Sequence, residues 1–352
     1  MPRISVVIAS YNHEKYVQAT LESVLAQSFQ DFEIQVTDDG SQDRTVAEVL
    51  AVADARISLV SLPRNCGACV ALNASIQRAT GEYIAILNSD DVFLPGKLAK
   101  QIRYLDDNVD VAAVFTRPML LGENGRPYTG AEHKDSTLLE ATNRQRHEWL
   151  RHFFFHGNAL CHPSLLIRRS CYDEVGLYNP ALAQVPDLEM WVRLLRRYDI
   201  HLIEEPLVGF RIRDNHMNAS AARPEVLVRD QWEWRRVLEQ YLYLDDAMLT
   251  EVFPELAGLT ERSELAWKLA ELALEVGRPA HVLFALDTMY GALADAPNPM
   301  RYRQFIALTG SYDPYGVLCE VPAHRKIVAP ASQDASAAPR FMFDGPRITF
   351  DH

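Results

Sequence analysis

Several signatures are missing from this 352-residue chain, and each absence removes a class of function. No Gly-x-Gly-x-x-Gly follows the first apolar stretch, and no Gly-x-x-x-x-Gly-Lys-Ser/Thr occurs anywhere. The dinucleotide fingerprint and the phosphate-cradling loop of nucleotide hydrolases are therefore excluded. No run approaches the roughly 20 apolar residues that a bilayer-spanning helix needs. Met1-Pro2-Arg3 leads into a short strand without the longer apolar region and small-residue cleavage site of a secretion leader. The expectation is a cytoplasmic protein, with peripheral contact at the inner membrane face as a further option. Excess positive charge is also lacking: the formal net charge is −12, which argues against a nucleic acid partner. The five cysteines are odd in number. Cys66-Gly67-Ala68-Cys69 has metal or redox spacing, but Cys161, Cys171 and Cys319 supply no second close pair.

What is present begins with Tyr83-Ile84-Ala85-Ile86-Leu87-Asn88-Ser89-Asp90-Asp91, a run of β-formers that delivers two adjacent carboxylates to a strand end. Neighbouring carboxylates repel, and solvent, a cationic partner or a divalent metal relieves the repulsion. A solvated turn ahead of Pro95 is the plainer alternative.

The same arrangement recurs along the chain. Ile4 to Ala9 reads as a buried strand, followed by the polar turn Ser10-Tyr11-Asn12-His13 and a helix with Val17, Leu21, Val24 and Leu25 on one face. Glu33 to Thr37 is a second strand, ending in Asp38-Asp39-Gly40-Ser41, where a turn with a helix cap explains the acids equally well. Ile57 to Leu62 leads into Asn65-Cys66-Gly67 and another helix, and Val111 to Phe115 adds a strand. Strands alternating with helices predict an α/β fold with a mostly parallel central sheet covered on both faces and ligands at the strands' carboxyl ends.

Gly122 to Trp149 reads as a long polar loop of the kind that closes over a site. His162 to Arg169 is an extended segment. Val185-Pro186-Asp187 opens a helix with Leu188, Trp191, Leu195 and Tyr198 on one face, and an acid there also complements the helix dipole. Beyond Pro224 only helices are expected: Val226 to Tyr243, Glu261 to Val276, Pro279 to Leu293 and Arg301 to Leu308. The middle pair resembles one degenerate tetratricopeptide unit, which alone buries too little and so is expected to pack on the main body. The resulting division is a sheet domain over 1–222, a helical module over 223–328 that offers a surface for a protein partner, and a loosely packed tail over 329–352.

Taken together, Val6 to Asn12, Asp38-Asp39-Gly40-Ser41, Asn65-Cys66-Gly67, Gly81 to Asp91, His162-Pro163-Ser164 with Arg168-Arg169, Asp187-Leu188-Glu189-Met190-Trp191 and Pro206 to Arg211 resemble, in order, the inverting glycosyltransferases of family two. The likeness covers roughly residues 4 to 220. It implies the nucleotide-sugar-binding GT-A fold and a sugar transferred from a nucleoside diphosphate donor, with UDP favoured, to a hydroxyl of a glycan, lipid-linked or protein acceptor. By resemblance, Ser10, Tyr11, Asn12, Asp38, Asp39, Asn65, Gly67, Asn88 and Asp90 bind the donor, Asp90 and Asp91 hold Mn²⁺ or Mg²⁺, and Asp187 is the catalytic base. Three positions depart from the family's usual pattern: Asn88 replaces an acid, Pro186 a frequent Glu, and Arg213 a frequent His. Either Arg213 or His216 then meets the diphosphate. A non-catalytic nucleotide-sugar or partner-binding protein on the same fold is the alternative reading.

Overall fold

The computed structural model describes residues 1–128, 136–213, 226–295 and 297–311. Its elements run β1 (Ile4–Ser10), α1 (Val17–Leu25), β2 (Phe32–Asp38), α2 (Thr45–Ala51), β3 (Ile57–Ser61), α3 (Ala68–Arg78), β4 (Tyr83–Asn88), β5 (Val92–Phe93) and α4 (Lys97–Asp107). Next come β6 (Val111–Leu121), α5 (Ser136–Glu140), α6 (Arg146–Phe155), β7 (Leu166–Arg168), α7 (Ser170–Val175), α8 (Pro186–Leu195) and β8 (Asp199–Arg211). The chain then turns helical through α9 (Leu227–Glu239), α10 (Asp246–Val252), α11 (Arg262–Val276), α12 (Pro279–Asp295) and α13 (Pro299–Ser311).

One sheet has the order β3-β2-β1-β4-β7-β6-β8-β5. Pairing is parallel for β1 with β2 and β4, β2 with β3, and β6 with β8. The short β7 runs antiparallel between β4 and β6, and β5 runs antiparallel to β8. Every strand except β5 and β7 therefore points the same way, so β1, β2, β4 and β8 end at one edge. The sheet is mostly parallel as the alternation predicts. The reversal at β7 was not legible, because three residues carry no period.

Both faces are covered, which is why β1 and β4 read as unbroken apolar runs. Ile4, Val6 and Ile8 of β1 and Tyr83, Ala85 and Leu87 of β4 face a core closed by α1 and α4. Val7, Ile84 and Ile86 face the other core, which continues without a break through Trp149, Trp191, Tyr241, Leu269 and Phe284. The later helices thus pack on the body: the Phe154 ring lies edge-on to Phe253 at 4.8 Å, and His281 Nε2 meets the Phe154 carbonyl at 2.8 Å.

The expected loop from Gly122 to Trp149 is shorter than predicted. Helix α6 starts at Arg146, where Gln145 and Glu148 form a reciprocal capping box that the polar composition disguised. Helix α10 was also not anticipated, and the tail at 329–352 lies outside the described residues. No helix among the described residues is long and apolar enough to cross a membrane.

Candidate active site

The site is built at the shared carboxyl edge of β1, β2, β4 and β8. At the end of β1, Ser10 Oγ donates to Asp38 Oδ1 (3.3 Å), and the Asp38 Oδ2 accepts the Ser41 N–H (2.9 Å). Asn12 takes a left-handed backbone (φ 53°), unusual for a residue with a side chain. Its N–H donates to Ser41 Oγ and its Oδ1 accepts the Gln42 N–H, both at 2.9 Å, so this turn is locked to the turn after β2. Gly40 makes the approach possible: a Cβ there would lie 2.6 Å from the Arg64 carbonyl carbon. The result is a cavity of about 480 Å³ lined by Tyr11, Asp38, Ser41, Leu62, Pro63 and Asn65.

Asp39 points elsewhere. Its two oxygens accept the N–H groups of Cys66 (2.7 Å) and Gly67 (2.9 Å), which fixes the start of α3, and the residue is 2% exposed. A carboxylate keeps further lone pairs beyond two such bonds, so contact with a ligand is not spent. Cys69 is buried in the first turn of α3, and burial, aided by the charge of Asp187, lifts its thiol to about 11. A thiol held up in this way is protonated at neutral pH.

The acidic pair divides sharply. Asp91 Oδ1 accepts the Arg211 N–H (2.7 Å) and Oδ2 the Asn88 Nδ2 (2.8 Å), in a side chain only 1% exposed. Burial and then the charge of Asp90 push the Asp91 carboxyl well above the ordinary carboxylate range, against those two hydrogen bonds. Through these bonds Asp91 ties β8 to the end of β4, and its remaining lone pairs are the ones open to a metal ion. Asn88 donates its Nδ2 to this carboxylate and keeps its Oδ1 for other partners.

Asp90 is the less buried of the pair, 8% exposed against 1% for Asp91. His13 Nε2 stands 3.9 Å from Asp90 Oδ2, while His13 Nδ1 lies 2.7 Å from Ser89 Oγ. The Arg213 guanidinium donates to His13 Nε2 at 3.0 Å. With Nε2 accepting, the proton sits on Nδ1 and the ring is neutral. Burial holds the His13 pKa below its usual value, with Arg213 adding to the lowering and Asp90 opposing it. Arg213 is therefore in the site, whereas His216 lies outside the described residues. Sequence reasoning passed over His13, whose one signal was its place in the turn with Tyr11 and Asn12. Among the described residues no three of His, Cys, Asp and Glu converge on a metal position.

Asp187 is the second residue of α8. Its Oδ1 accepts the Leu188 N–H and its Oδ2 the Asn158 Nδ2, both at 2.8 Å. Burial pushes its carboxyl up to about 6, against these hydrogen bonds. Such a group is mostly ionised at neutral pH yet more basic than an ordinary carboxylate, the condition for a general base. Nearby Glu189 is instead committed to Arg193 at 2.8 Å. Beside Trp191 of α8, half-buried His162 meets the Tyr178 hydroxyl at 3.1 Å, and desolvation lowers its pKa to about 4, so it stays neutral.

Residues 5–170 match the family described as Glycosyl transferase family 2. They form a family 2 glycosyltransferase domain. An uncharacterised glycosyltransferase of Methanocaldococcus jannaschii is 29% identical over 226 residues, 62% of this chain and 74% of that protein. One from Rickettsia typhi is 30% identical over 224 residues, 60% of this chain and 65% of that protein. The crystal structure of S. aureus TarS 1-349 in complex with UDP-GlcNAc superposes with a TM-score of 0.59 at 18% identity, over 88% of this chain and 93% of that one. The glycosyltransferase therefore has the GT-A fold, and the superposition reaches past the family match into the later helices.

Proposed function

We propose that this glycosyltransferase is a metal-dependent inverting enzyme that moves a sugar from a pyrimidine nucleoside diphosphate donor, with UDP favoured, to a hydroxyl acceptor in glycan or glycoconjugate assembly. One observation carries the reading. A single sheet edge carries both a cavity walled by Tyr11, Asp38 and Asn65 and, at the end of β4, the carboxylate of Asp90, on a body whose α8 presents a carboxyl with a pKa of about 6. The UDP-GlcNAc held by the structurally similar TarS makes UDP compounds the first probes.

Tyr11, Asp38 and Asn65 meet the base from the cavity wall, with Asp39 behind them. The donor set fits a hard divalent cation bound together with its substrate: it offers carboxylate oxygen at Asp90 and, among the described residues, no group of three protein ligands, so phosphate oxygens of the donor would complete the coordination. Asp90 would hold Mn²⁺ or Mg²⁺, and the ion would supply charge neutralisation to the departing diphosphate. Arg213, braced by His13, adds a fixed positive charge to the same side.

Inversion follows from one displacement. The acceptor oxygen forms a bond to the anomeric carbon, and the bond from that carbon to the diphosphate oxygen breaks with its electron pair leaving on the diphosphate. The acceptor's proton passes to Asp187. Thermal shift against UDP, CDP, GDP, ADP and UDP-sugars, with and without Mn²⁺, tests the reading. A ligand at 100 times its dissociation constant stabilises by about 2.7 kcal/mol. A shift with UDP compounds that grows with Mn²⁺ is expected; no shift with any nucleotide would leave only a binding protein of another specificity.

A further inference from the structure

Helix α9 lies outside the family match, yet two consecutive residues on it reach the two supports of Asp187. Glu233 is fully buried. Its carboxylate accepts the N–H groups of Ala183 (2.8 and 3.0 Å), Gln184 (2.6 Å) and Val185 (3.1 Å), the three residues that lead into α8. Arg229, one turn earlier on α9, donates to it at 2.8 Å. The start of α8 needs such a partner, because Val185 supplies no side-chain cap and Pro186 has no N–H. Trp234, the next residue, packs against Gly157, where a Cβ would meet its ring at 3.0 Å. Gly157 has φ 98° and precedes Asn158, the donor to Asp187 Oδ2.

Adjacent helical residues point about 100° apart, so one helix can brace two different segments. Three backbone donors converging on one buried carboxylate are more than a surface ion pair would leave behind. They fix the height at which α8 begins, and Asp187 is one residue further on. Loss of the clamp frees both the entry to α8 and the enclosure that raises the Asp187 carboxyl.

We propose that Glu233 is the positioning residue for the base: the later helices complete the active site by clamping the 183–185 amides, with Trp234 steadying Asn158 from the other side. The proposal rests on Asp187 being the base. A displacement of about 1 Å at a reacting group is enough to cost about 10²-fold in rate.

The full chain with Mn²⁺ serves for the test, with release of UDP from UDP-glucose or UDP-N-acetylglucosamine by water as the reaction. Glu233→Gln is expected to lower kcat by about 10²-fold while the UDP dissociation constant stays within about twofold. The double variant with Asp187→Asn is expected to be no slower than Asp187→Asn alone, because both remove the same function. In ¹³C spectra the Asp187 carboxyl of Glu233→Gln titrates below the wild-type midpoint. If Glu233→Gln fails to fold, Glu233→Asp, which keeps the charge with shorter reach, takes its place under the same expectations. Wild-type turnover in the Glu233 variant, or losses that multiply in the double variant, would overturn the positioning role. Wild-type turnover in Asp187→Asn would instead overturn the base assignment, and the positioning role with it.

Discussion

At the end of β2 the Asp39 carboxylate gathers the amides of Cys66 and Gly67, and beside α8 the Glu233 carboxylate gathers those of Ala183, Gln184 and Val185. Both are buried acids used as staples for a loop, and both hold the residue just before a helix. They differ in reach. Asp39 binds partners 27 and 28 positions away within the sheet's first half, whereas Glu233 returns from 48 to 50 positions further along the chain. The cavity at the ends of β1 and β2 is thus assembled by short connections, while β8 and Arg213 just after it return from far along the chain to Asp91 and His13. The Asp187 side depends on a helix from the far end of the fold.

That difference yields tests on each side. The largest expected effect is at Asp187: Asp187→Asn keeps the shape but takes no proton, so turnover falls about 10²–10⁴-fold while nucleotide affinity is unchanged. Steady-state kinetics beside calorimetric UDP titration separates the two quantities, and equal losses in both would erase the contrast between the sides.

Next in size is the acidic pair. Asp91→Asn places a donor against the Arg211 N–H or the Asn88 amide, at a cost of about 1–3 kcal/mol in unfolding free energy by denaturant titration. Asp90→Asn leaves that stability nearly intact and removes the Mn²⁺-dependent part of UDP binding. The reverse pattern would place the metal on Asp91.

The smallest expected effect is at Gly40. Gly40→Ala forces a side chain into a left-handed backbone (φ 72°) with its Cβ against Arg64, which costs roughly 1–2 kcal/mol from the backbone alone. UDP binding weakens with it, since the Asn65 segment must retreat. A variant of undiminished stability would show that the two turns are not locked together.

The strand side was largely legible in the sequence because its chemistry sits in the residues immediately after each apolar run. Tyr11, Asn12, Asp38, Asp39 and Asn65 all fell where the alternation of strand and helix predicts a ligand edge. What the sequence did not reveal was which acid of a pair faces inward. Asp90 and Asp91 are equivalent as letters, and only the return of β8 with the Arg211 N–H separates them. Asn158 and Glu233 were illegible for a related reason. One follows a glycine in an apolar stretch, and the other reads as an ordinary i,i+4 pair with Arg229 on a helix surface. Their partners are fixed by packing over long separations, which no local pattern encodes.

If Asp187 takes the acceptor's proton, the pH dependence of kcat carries its titration. Burial raises this carboxyl to about 6, so below that pH the group is protonated in the folded enzyme and unable to act. The account predicts that kcat rises with pH through about 6 and then levels, and that Asp187→Asn lacks this limb while still binding UDP. A wild-type profile flat from pH 5 to pH 7, or an unchanged limb in Asp187→Asn, would contradict it.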